Sequence, residues 1–271
     1  MASMRTSTLA LVLSIFLSAA ASADLVVPQT STARILIPVA GDAAGANGTH
    51  FRSDISIVNF RNVEQRIVLR WLPQGQSGTA VPTRSVTLNP RTGLSSNDFV
   101  NTVLGQTGIG GIDITAVTAD GQFDPEAQLH ATVRIWTPQP NVPNGTMSQT
   151  FPAIAYNTTG FPLRWIFGVH RSEQYRLNVG IMNPEAVVRR FRITLITNTG
   201  ARETREVELA PLSIHQEGLL GTAEVLQLIV EQIGGNGPSA WQTWASSVDN
   251  VTGDAWSQMG FIAPVATTQQ P

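Results

Sequence analysis

The chain has 271 residues, a formal net charge of −2 at pH 7 and no Cys. The missing Cys excludes disulfides, a thiol nucleophile and thiolate metal sites, so the core alone must hold the fold, which a hydrophobic content of 42% permits. All 17 basic residues are Arg, and they form no basic tract. Nucleic acid is therefore not a predicted partner.

The first 23 residues have the pattern of a secretory signal peptide. Arg5 provides a positive charge, Leu9 to Ala21 form an apolar run of the usual length, and Ala-Ser-Ala at 21–23 is a small-x-small cleavage site. We therefore predict cleavage after Ala23 and a secreted or periplasmic protein whose mature chain begins at Asp24. No later apolar run approaches the roughly 18 residues of a membrane helix, so no membrane span is expected in the mature chain.

Short segments with period-two alternation, separated by turns rich in Gly, Pro and Asn, follow one another along the rest of the chain. In the first part the predicted strands are 34–39, 52–59, 65–72, 82–88, 112–118, 128–137 and 147–155. In the second part they are 164–170, 175–183, 188–196, 202–209, 225–232, 241–249 and 256–263. Two segments have mixed signals: 96–104 predicts one helical turn capped by Ser or Asn, and 222–233 predicts a short turn that enters a strand.

The chain contains nearly the same ten-residue phrase twice, FRSDISIVNF and YRLNVGIMNP. In the first phrase Ile55 and Ile57 alternate with other residues, and in the second Val179 and Ile181 do, which predicts a half-buried strand in each case. The matches continue beyond the phrases, and the spacing between them changes only within loops. A duplicated β domain is expected to show this pattern, because a one-residue slip within a strand would invert its faces.

These observations predict an all-β protein with two tandem homologous antiparallel β-sandwich domains of the immunoglobulin-like type. The predicted division is a signal peptide at 1–23, an N-terminal segment at 24–33, a first sandwich at 34–155 and a second sandwich at 156–268. The link near 153–161 is short and mostly uncharged, which predicts sandwiches that pack against each other.

Four segments carry a resemblance to a known group of proteins: IPVAG at 37–41, GANGTHFRSDISIVNF, RLNVGIMNP and the closing SQMGFIAP. Together they resemble uncharacterised secreted bacterial proteins built from tandem immunoglobulin-like modules. The resemblance covers most of 35–265 and implies the same fold. It supplies no catalytic residues, because these motifs are strand and turn signatures.

The sequence contains no arrangement of residues that is typical of an enzyme. It has no GxSxG elbow and no HExxH motif, and its four histidines, His50, His130, His170 and His215, are scattered. We therefore predict a protein that is not an enzyme. The alternative is a hydrolase whose site has no recognised motif.

Two acidic loops are candidates for a metal site. One contains Asp120, Asp124 and Glu126, and the other contains Asp249 and Asp254. Ca²⁺ takes roughly six to eight oxygen ligands from flexible loops, so these carboxylates are its candidate ligands. The alternative is that both loops are solvated turns, since neither has the EF-hand pattern and Asp is a common turn former. No other cofactor is predicted.

Four tryptophans are the candidate ligand-binding residues: Trp136, Trp241, Trp244 and Trp256. Trp136 and Trp256 are out of phase with the apolar residues of their strands, so they are predicted to face outward or to cap a sheet. Trp241 and Trp244 are an odd number of residues apart, so only one of them is predicted to lie in the core. An exposed Trp can stack on a sugar ring or anchor a protein partner. The alternative is that these side chains seal the contact between the sandwiches or their ends.

The sequence as a whole predicts a non-enzymatic secreted or periplasmic structural or binding module that mediates protein or surface interactions. Its partner is expected to contact loops or an exposed sheet edge. A carbohydrate-binding accessory protein that holds a cell-surface glycan on exposed Trp is the alternative.

Overall fold

The structure is a computed structural model that describes residues 32–45, 48–139, 142–157, 161–235 and 239–262. The predicted signal peptide and its cleavage site lie outside these residues. The described chain is almost entirely antiparallel β-structure with one short helix. This confirms the predicted all-β sandwich fold, whereas the division into two domains stays a prediction.

The strands have the following bounds. In the first half they are β1 Arg34–Ala44, β2 His50–Asn59, β3 Gln65–Pro73, β4 Arg84–Leu88, β5 Gly93–Ser96, β6 Gly108–Val117, β7 Leu129–Pro138, β8 Thr146–Pro152 and β9 Ile154–Ala155, with the helix α1 at Phe99–Thr102. In the second half they are β10 Leu163–Arg171, β11 Tyr175–Asn183, β12 Arg189–Thr197, β13 Arg202–Leu209, β14 Ser213–Leu219, β15 Val225–Gly234, β16 Gln242–Asp249 and β17 Ala255–Met259.

The described strands β1 to β9 form one nine-stranded sheet that is folded into two layers. One layer, sheet I, has the order β4-β3-β6-β1, with β9 paired to the free edge of β1; the other, sheet II, has the order β5-β2-β7-β8. The two layers join where the end of β1 pairs with the start of β2, at Ala43 and Phe51. Side chains of both layers, such as Ile35 and Ile57, share one buried cluster.

Strands β10 to β17 form two four-stranded sheets that repeat the strand order of the first half. Sheet III has the order β13-β12-β15-β10 and corresponds to sheet I, and sheet IV has the order β14-β11-β16-β17 and corresponds to sheet II. The two sheets enclose a second buried cluster that includes Phe191 and Trp241. Because the strand order is the same in both halves, a residue of one half has a counterpart in the other, namely the residue at the same position in the corresponding strand pairing.

The repeated phrase occupies matching places in the two halves. Ile55 and Ile57 lie on β2, between β5 and β7, and Val179 and Ile181 lie on β11, between β14 and β16. All four side chains are buried, as their alternation predicts.

Two strands, β5 and β14, are absent from the sequence-based prediction. Both are short and mostly polar, so their alternation is weak. The predicted strand 147–155 is divided at Ala153 into β8 and β9. The turns before β5 and β14 also correspond, because Arg91 and Leu212 both have a positive φ, 56° and 52°. The predicted helical turn is present as α1, but the prediction of a Ser or Asn cap is wrong, since Asp98 is at the N-cap and its side chain makes no capping hydrogen bond.

The two halves share part of one core through the outer faces of sheets I and IV. The buried cluster of the first half includes four side chains from the second: Met182, Leu212, Ile214 and Trp244. Gly111 on the outer face of sheet I leaves room for them, because a Cβ built there would lie 2.5 Å from Met182 Cε. We call this contact the joint. It covers the outer face of β16, so every residue of that strand except the last is buried.

Hydrogen bonds fix the position of the two halves at the joint. Gln74 Nε2 donates to the carbonyl of Gln216 at 3.0 Å, and Gln149 Nε2 donates to Ser246 Oγ at 2.7 Å. The loop after β3 and the edge strand β8 are therefore both tied to sheet IV.

Candidate functional site

The prediction that only one of Trp241 and Trp244 lies in the core is wrong, because both are 1% exposed. Trp241 packs against Phe191 in the second cluster, with 5.0 Å between ring centroids. Trp244 projects from the opposite face of β16 into the joint, where it meets Phe151 edge-on. Neither indole presents a face to solvent, so a sugar ring cannot stack on Trp241 or Trp244 in this structure.

Trp136 lies on the outer face of sheet II, as its phase predicts, and it is half-buried. Its indole N–H donates to the carboxylate of Asp54, and the Arg52 guanidinium lies 5.8 Å from its ring centroid. Arg134 also donates to Asp54, at 3.3 Å. We call this surface the polar face; its side chains are Arg52, Asp54, Ser56, Thr132, Arg134 and Trp136.

Trp256 is half-buried where β17 of sheet IV meets β10 of sheet III. Its indole N–H donates to the carbonyl of Gly168 at 2.9 Å. The ring meets His170 and Tyr175 edge-on, at centroid distances of 5.7 and 5.5 Å. These contacts fix the indole in one orientation beside β10.

Three aromatic side chains that the sequence analysis did not select as ligand-binding residues form a strip along β10. Trp165 and Phe167 stack with centroids 6.0 Å apart and planes 9° apart, and the ring of Phe261 lies 5.5 Å from that of Phe167. The backbones of Trp165 and Phe261 exchange two hydrogen bonds of 2.9 Å. We call these three residues the aromatic strip.

The aromatic strip is open to solvent despite its apolar character. Phe167 is 45% exposed and Phe261 is 44% exposed, and Trp165 is half-buried. Trp165 and Phe167 flank Ile166, which points into the core, so both side chains lie on the outer side of β10. Exposed contiguous apolar rings are typical of interaction sites.

A cleft of about 440 Å³ lies beside the aromatic strip, between the halves. Its lining includes β9, Arg164, Gln242 and Gly260. The Arg164 side chain is buried over the ring of Trp241, 5.1 Å from the centroid, and burial lowers its pKa. The cleft therefore combines a buried basic group with apolar walls next to the strip.

In the first acidic loop the carboxylates of Asp120 and Asp124 bind neighbouring protein groups. Asp120 accepts a hydrogen bond from the Thr118 hydroxyl. Asp124 forms an ion pair with Arg61 at 2.9 Å and accepts the backbone N–H of Glu126 at 3.1 Å. These contacts are those of a closed surface turn.

In the second acidic loop Asp249 accepts the backbone N–H groups of Thr252 at 2.9 Å and Val251 at 2.7 Å, and these bonds lower its pKa. Asp254 accepts the backbone N–H of Ala255 at 3.1 Å. Across the described ranges, no three His, Cys, Asp or Glu side chains are grouped so that they could hold a metal ion. A Ca²⁺ site at either loop stays a prediction.

The remaining histidine rings contact aromatic rings or carboxylates. His130 lies 6.3 Å from Phe60 between centroids, and His215 Nε2 lies 3.7 Å from a Glu217 oxygen. His130, His215 and His170 lie on three different strands, β7, β14 and β10.

His50 and Asp42 form a pair at the turn between β1 and β2. The imidazole bonds one carboxylate oxygen of Asp42, and Asn101 of α1 donates to the other at 3.1 Å. Asp42 is buried, yet the hydrogen bond from His50 lowers its pKa, with help from Asn101. The pair fastens α1 to the turn.

We predict that Asp42 contributes an acid-labile part of the stability. Because its pKa is lowered in the folded state, this contribution is complete above the unfolded value of about 3.9 and is lost as the pH falls through the folded value. The difference in free energy of unfolding between wild type and Asp42→Asn should therefore shrink as urea titrations are moved from pH 6 to pH 3. Asp120→Asn, in an exposed turn, is the control. A difference that stays constant over this range would contradict the prediction.

Comparisons with known proteins do not identify a family. No protein-family model matches the sequence, and no curated protein does either. Among solved structures the chain is similar to the crystal structure of Thermotoga maritima 1070, at 16% identity and a TM-score of 0.33, over 39% of this chain and 97% of that one. In the part of the chain that the structure describes, no helix has the length and hydropathy needed to cross a membrane.

Proposed function

We propose that this chain is a non-enzymatic secreted or periplasmic binding module that holds a partner protein on the aromatic strip. The observation that carries the proposal is the exposure of Phe167 and Phe261 beside Trp165. Burying these rings against a partner stabilises a complex, because aromatic anchors dominate the binding energy of protein interfaces.

The geometry of the strip favours a protein partner over a glycan. A pyranose ring stacks on an open indole or phenyl face that has polar groups around it. Trp165 and Phe167 instead stack on each other, which leaves no open face between them, and their neighbour Phe261 is apolar. Trp165 and Phe167 lie on β10, whose core side is packed, and Phe261 is held to β10 by two backbone hydrogen bonds, so we expect binding to cost little conformational entropy.

The titratable side chains support a role in binding rather than catalysis. The His50–Asp42 pair fastens a turn, and Asp124 and Asp249 of the acidic loops accept backbone N–H groups of their own loops. A hydrolytic site would require a hydroxyl nucleophile next to an oriented histidine. Ser53, on the strand that starts at His50, is buried, and its hydroxyl bonds to the backbone of Gly41 at 2.7 Å.

Site-specific photo-crosslinking tests the proposed function. We predict that a benzophenone amino acid placed at Phe167 or Phe261 in the full chain, expressed in the cells that produce it, gives a discrete protein adduct after ultraviolet irradiation. The same probe at Thr132, on the polar face, is the control and should give none, because the aromatic side chain of that face, Trp136, is half-buried and bonded to Asp54 among charged neighbours.

The proposal would be contradicted if the probe at Thr132 gave as much protein adduct as the probes at Phe167 and Phe261, or if neither Phe167 nor Phe261 gave a discrete adduct. If insoluble glycans instead retained the wild-type chain and Trp165→Ala released it, the glycan function would replace the protein-binding one.

A further inference from the structure

The joint is made from two unlike faces, the outer face of sheet I and the outer face of sheet IV. Sheet III corresponds to sheet I, and sheet II corresponds to sheet IV. One face of each kind therefore remains at the two ends of the molecule: the outer face of sheet III, which we call the open face, and the polar face of sheet II. A contact between two unlike faces leaves one unpaired face at each end of the molecule. Each of these end faces must either be polar enough to stay in solvent or be covered by a partner.

The open face keeps the apolar positions that sheet I buries at the joint. At one edge of each sheet, Leu36 pairs with Ile154 of β9 in the first half and Trp165 pairs with Phe261 in the second. Further into the sheet, Leu72 pairs with Gly111 in the first half and Ile196 pairs with Gln227 in the second. The corresponding positions are Leu36 and Trp165, Pro38 and Phe167, and Leu72 and Ile196. On sheet I all three are buried, whereas on sheet III none is.

The polar face has lost the apolar positions that sheet IV brings to the joint. The strand registers and the matching turns assign Ser56 to Gly180, Val58 to Met182, Thr132 to Trp244 and Arg91 to Leu212. Thr132 and Arg91 are exposed. Of the four joint side chains of sheet IV, Trp244 and Leu212 are replaced by polar residues, Ile214 by Gly93, and only Met182 by another apolar side chain, Val58. A polar outer face is how terminal repeats are capped against association.

We infer that the open face docks the apolar outer face of a β-sheet from a different protein, in the arrangement that sheet IV adopts on sheet I. The inference rests on the proposed function and names the class of partner that the aromatic strip receives. A second copy of this chain cannot bind in that arrangement, because its sheet IV face is buried at the joint and its sheet II face is polar.

The open face also defines what the partner presents. Gln227 stands where Gly111 makes room for Met182 and Ile214, so the partner carries a small residue opposite Gln227. Large apolar side chains are expected opposite Trp165 and Phe167. The β12 side of the open face is charged, with Arg192 bonded to Glu206 at 2.9 Å and to Glu231 at 3.3 Å, so a polar rim is expected there.

The chain itself can be converted into the probe. The polar face of the full chain is given the joint-forming side chains by Ser56→Gly, Val58→Met, Arg91→Leu and Thr132→Trp. Ser56→Gly is needed because a Cβ at Gly180 would lie 2.0 Å from Trp244 Cε2. Gly93, the counterpart of Ile214, is kept and leaves room for Gln227. Phe167→Glu is added to the probe so that it cannot bind itself.

The expected result is a 1:1 complex between the probe and the wild-type chain in size-exclusion chromatography with light scattering. Replacing the wild-type chain by Phe167→Glu should weaken the complex at least about tenfold, because a buried aromatic anchor is replaced by a charge. The wild-type chain alone should be monomeric.

Three outcomes would overturn the inference: no complex, a complex that Phe167→Glu leaves unchanged, or a wild-type chain that dimerises until Phe167→Glu is introduced. Circular dichroism and the melting temperature show whether the probe is folded, and a probe carrying Ser56→Gly, Thr132→Trp and Phe167→Glu replaces it if it is not. If photo-crosslinking at Phe167 gave a protein adduct but the probe formed no complex, the proposed function would stand and only the inferred class of partner would be wrong.

Discussion

Trp244→Ala should lower the free energy of unfolding by about 3–5 kcal/mol, the range measured for large-to-small substitutions of fully buried aromatic residues. The indole is 1% exposed and fills the joint, where it contacts Phe151 and covers Gly180. Its removal leaves a cavity between the two halves, which hydrogen bonds such as that between Gln149 and Ser246 hold in place, so the site cannot easily collapse. Urea denaturation followed by circular dichroism measures the loss.

The matched control is Thr132→Ala, at the counterpart position of the first half. Thr132 is exposed on the polar face, so its substitution should change the free energy of unfolding by no more than about 0.5 kcal/mol. Similar losses for the two variants would mean that the joint is not a packed core.

Gly180→Ser should also destabilise the protein, by about 1–3 kcal/mol. A Cβ at Gly180 would lie 2.0 Å from Trp244 Cε2, well inside van der Waals contact, so either the indole or β11 must move. Gly218→Ser, in the same sheet, is the control, because a Cβ there would meet only Asn178 Oδ1, at 3.5 Å. Chemical denaturation of both variants gives the comparison.

A double-mutant cycle makes this prediction specific to the Gly180–Trp244 contact. With both Trp244→Thr and Gly180→Ser, this cross-strand pair becomes Ser opposite Thr, which is the pair that Ser56 and Thr132 form in the first half. Gly180→Ser should therefore lower the free energy of unfolding by at least about 0.5 kcal/mol less in the Trp244→Thr background than in wild type. Equal costs in both backgrounds would show that the strain at Gly180 has another source.

Most of the strands could be predicted from the sequence because alternation is a local signal. Ile55 and Ile57, or Val179 and Ile181, mark the buried side of a strand without any knowledge of its neighbours. The repeated phrase also predicts correctly that the same strand environment occurs twice. The short strands β5 and β14 were missed because backbone pairing with a neighbour, rather than their own side chains, determines that they are strands.

The candidate site was harder to predict because exposure depends on which sheet faces meet. Alternation places Trp241 and Trp244 on opposite faces of a strand, but it cannot show that both faces are covered. For the same reason the exposure of Trp165 and Phe167 does not follow from their strand pattern, since their counterparts Leu36 and Pro38 are buried. The joint, which is a tertiary contact, makes the difference.

The burial of β16 on both sides has a consequence for the mutational tolerance of the chain. Its polar side chains are not free surface groups: Thr243 Oγ1 donates to the Gly180 carbonyl at 2.7 Å, and Ser247 Oγ accepts the N–H of His170 at 2.8 Å. In a deep mutational scan, β16 should therefore reject charged residues at successive positions, whereas a strand with one solvent-exposed side, such as β2, should reject them only at every second position.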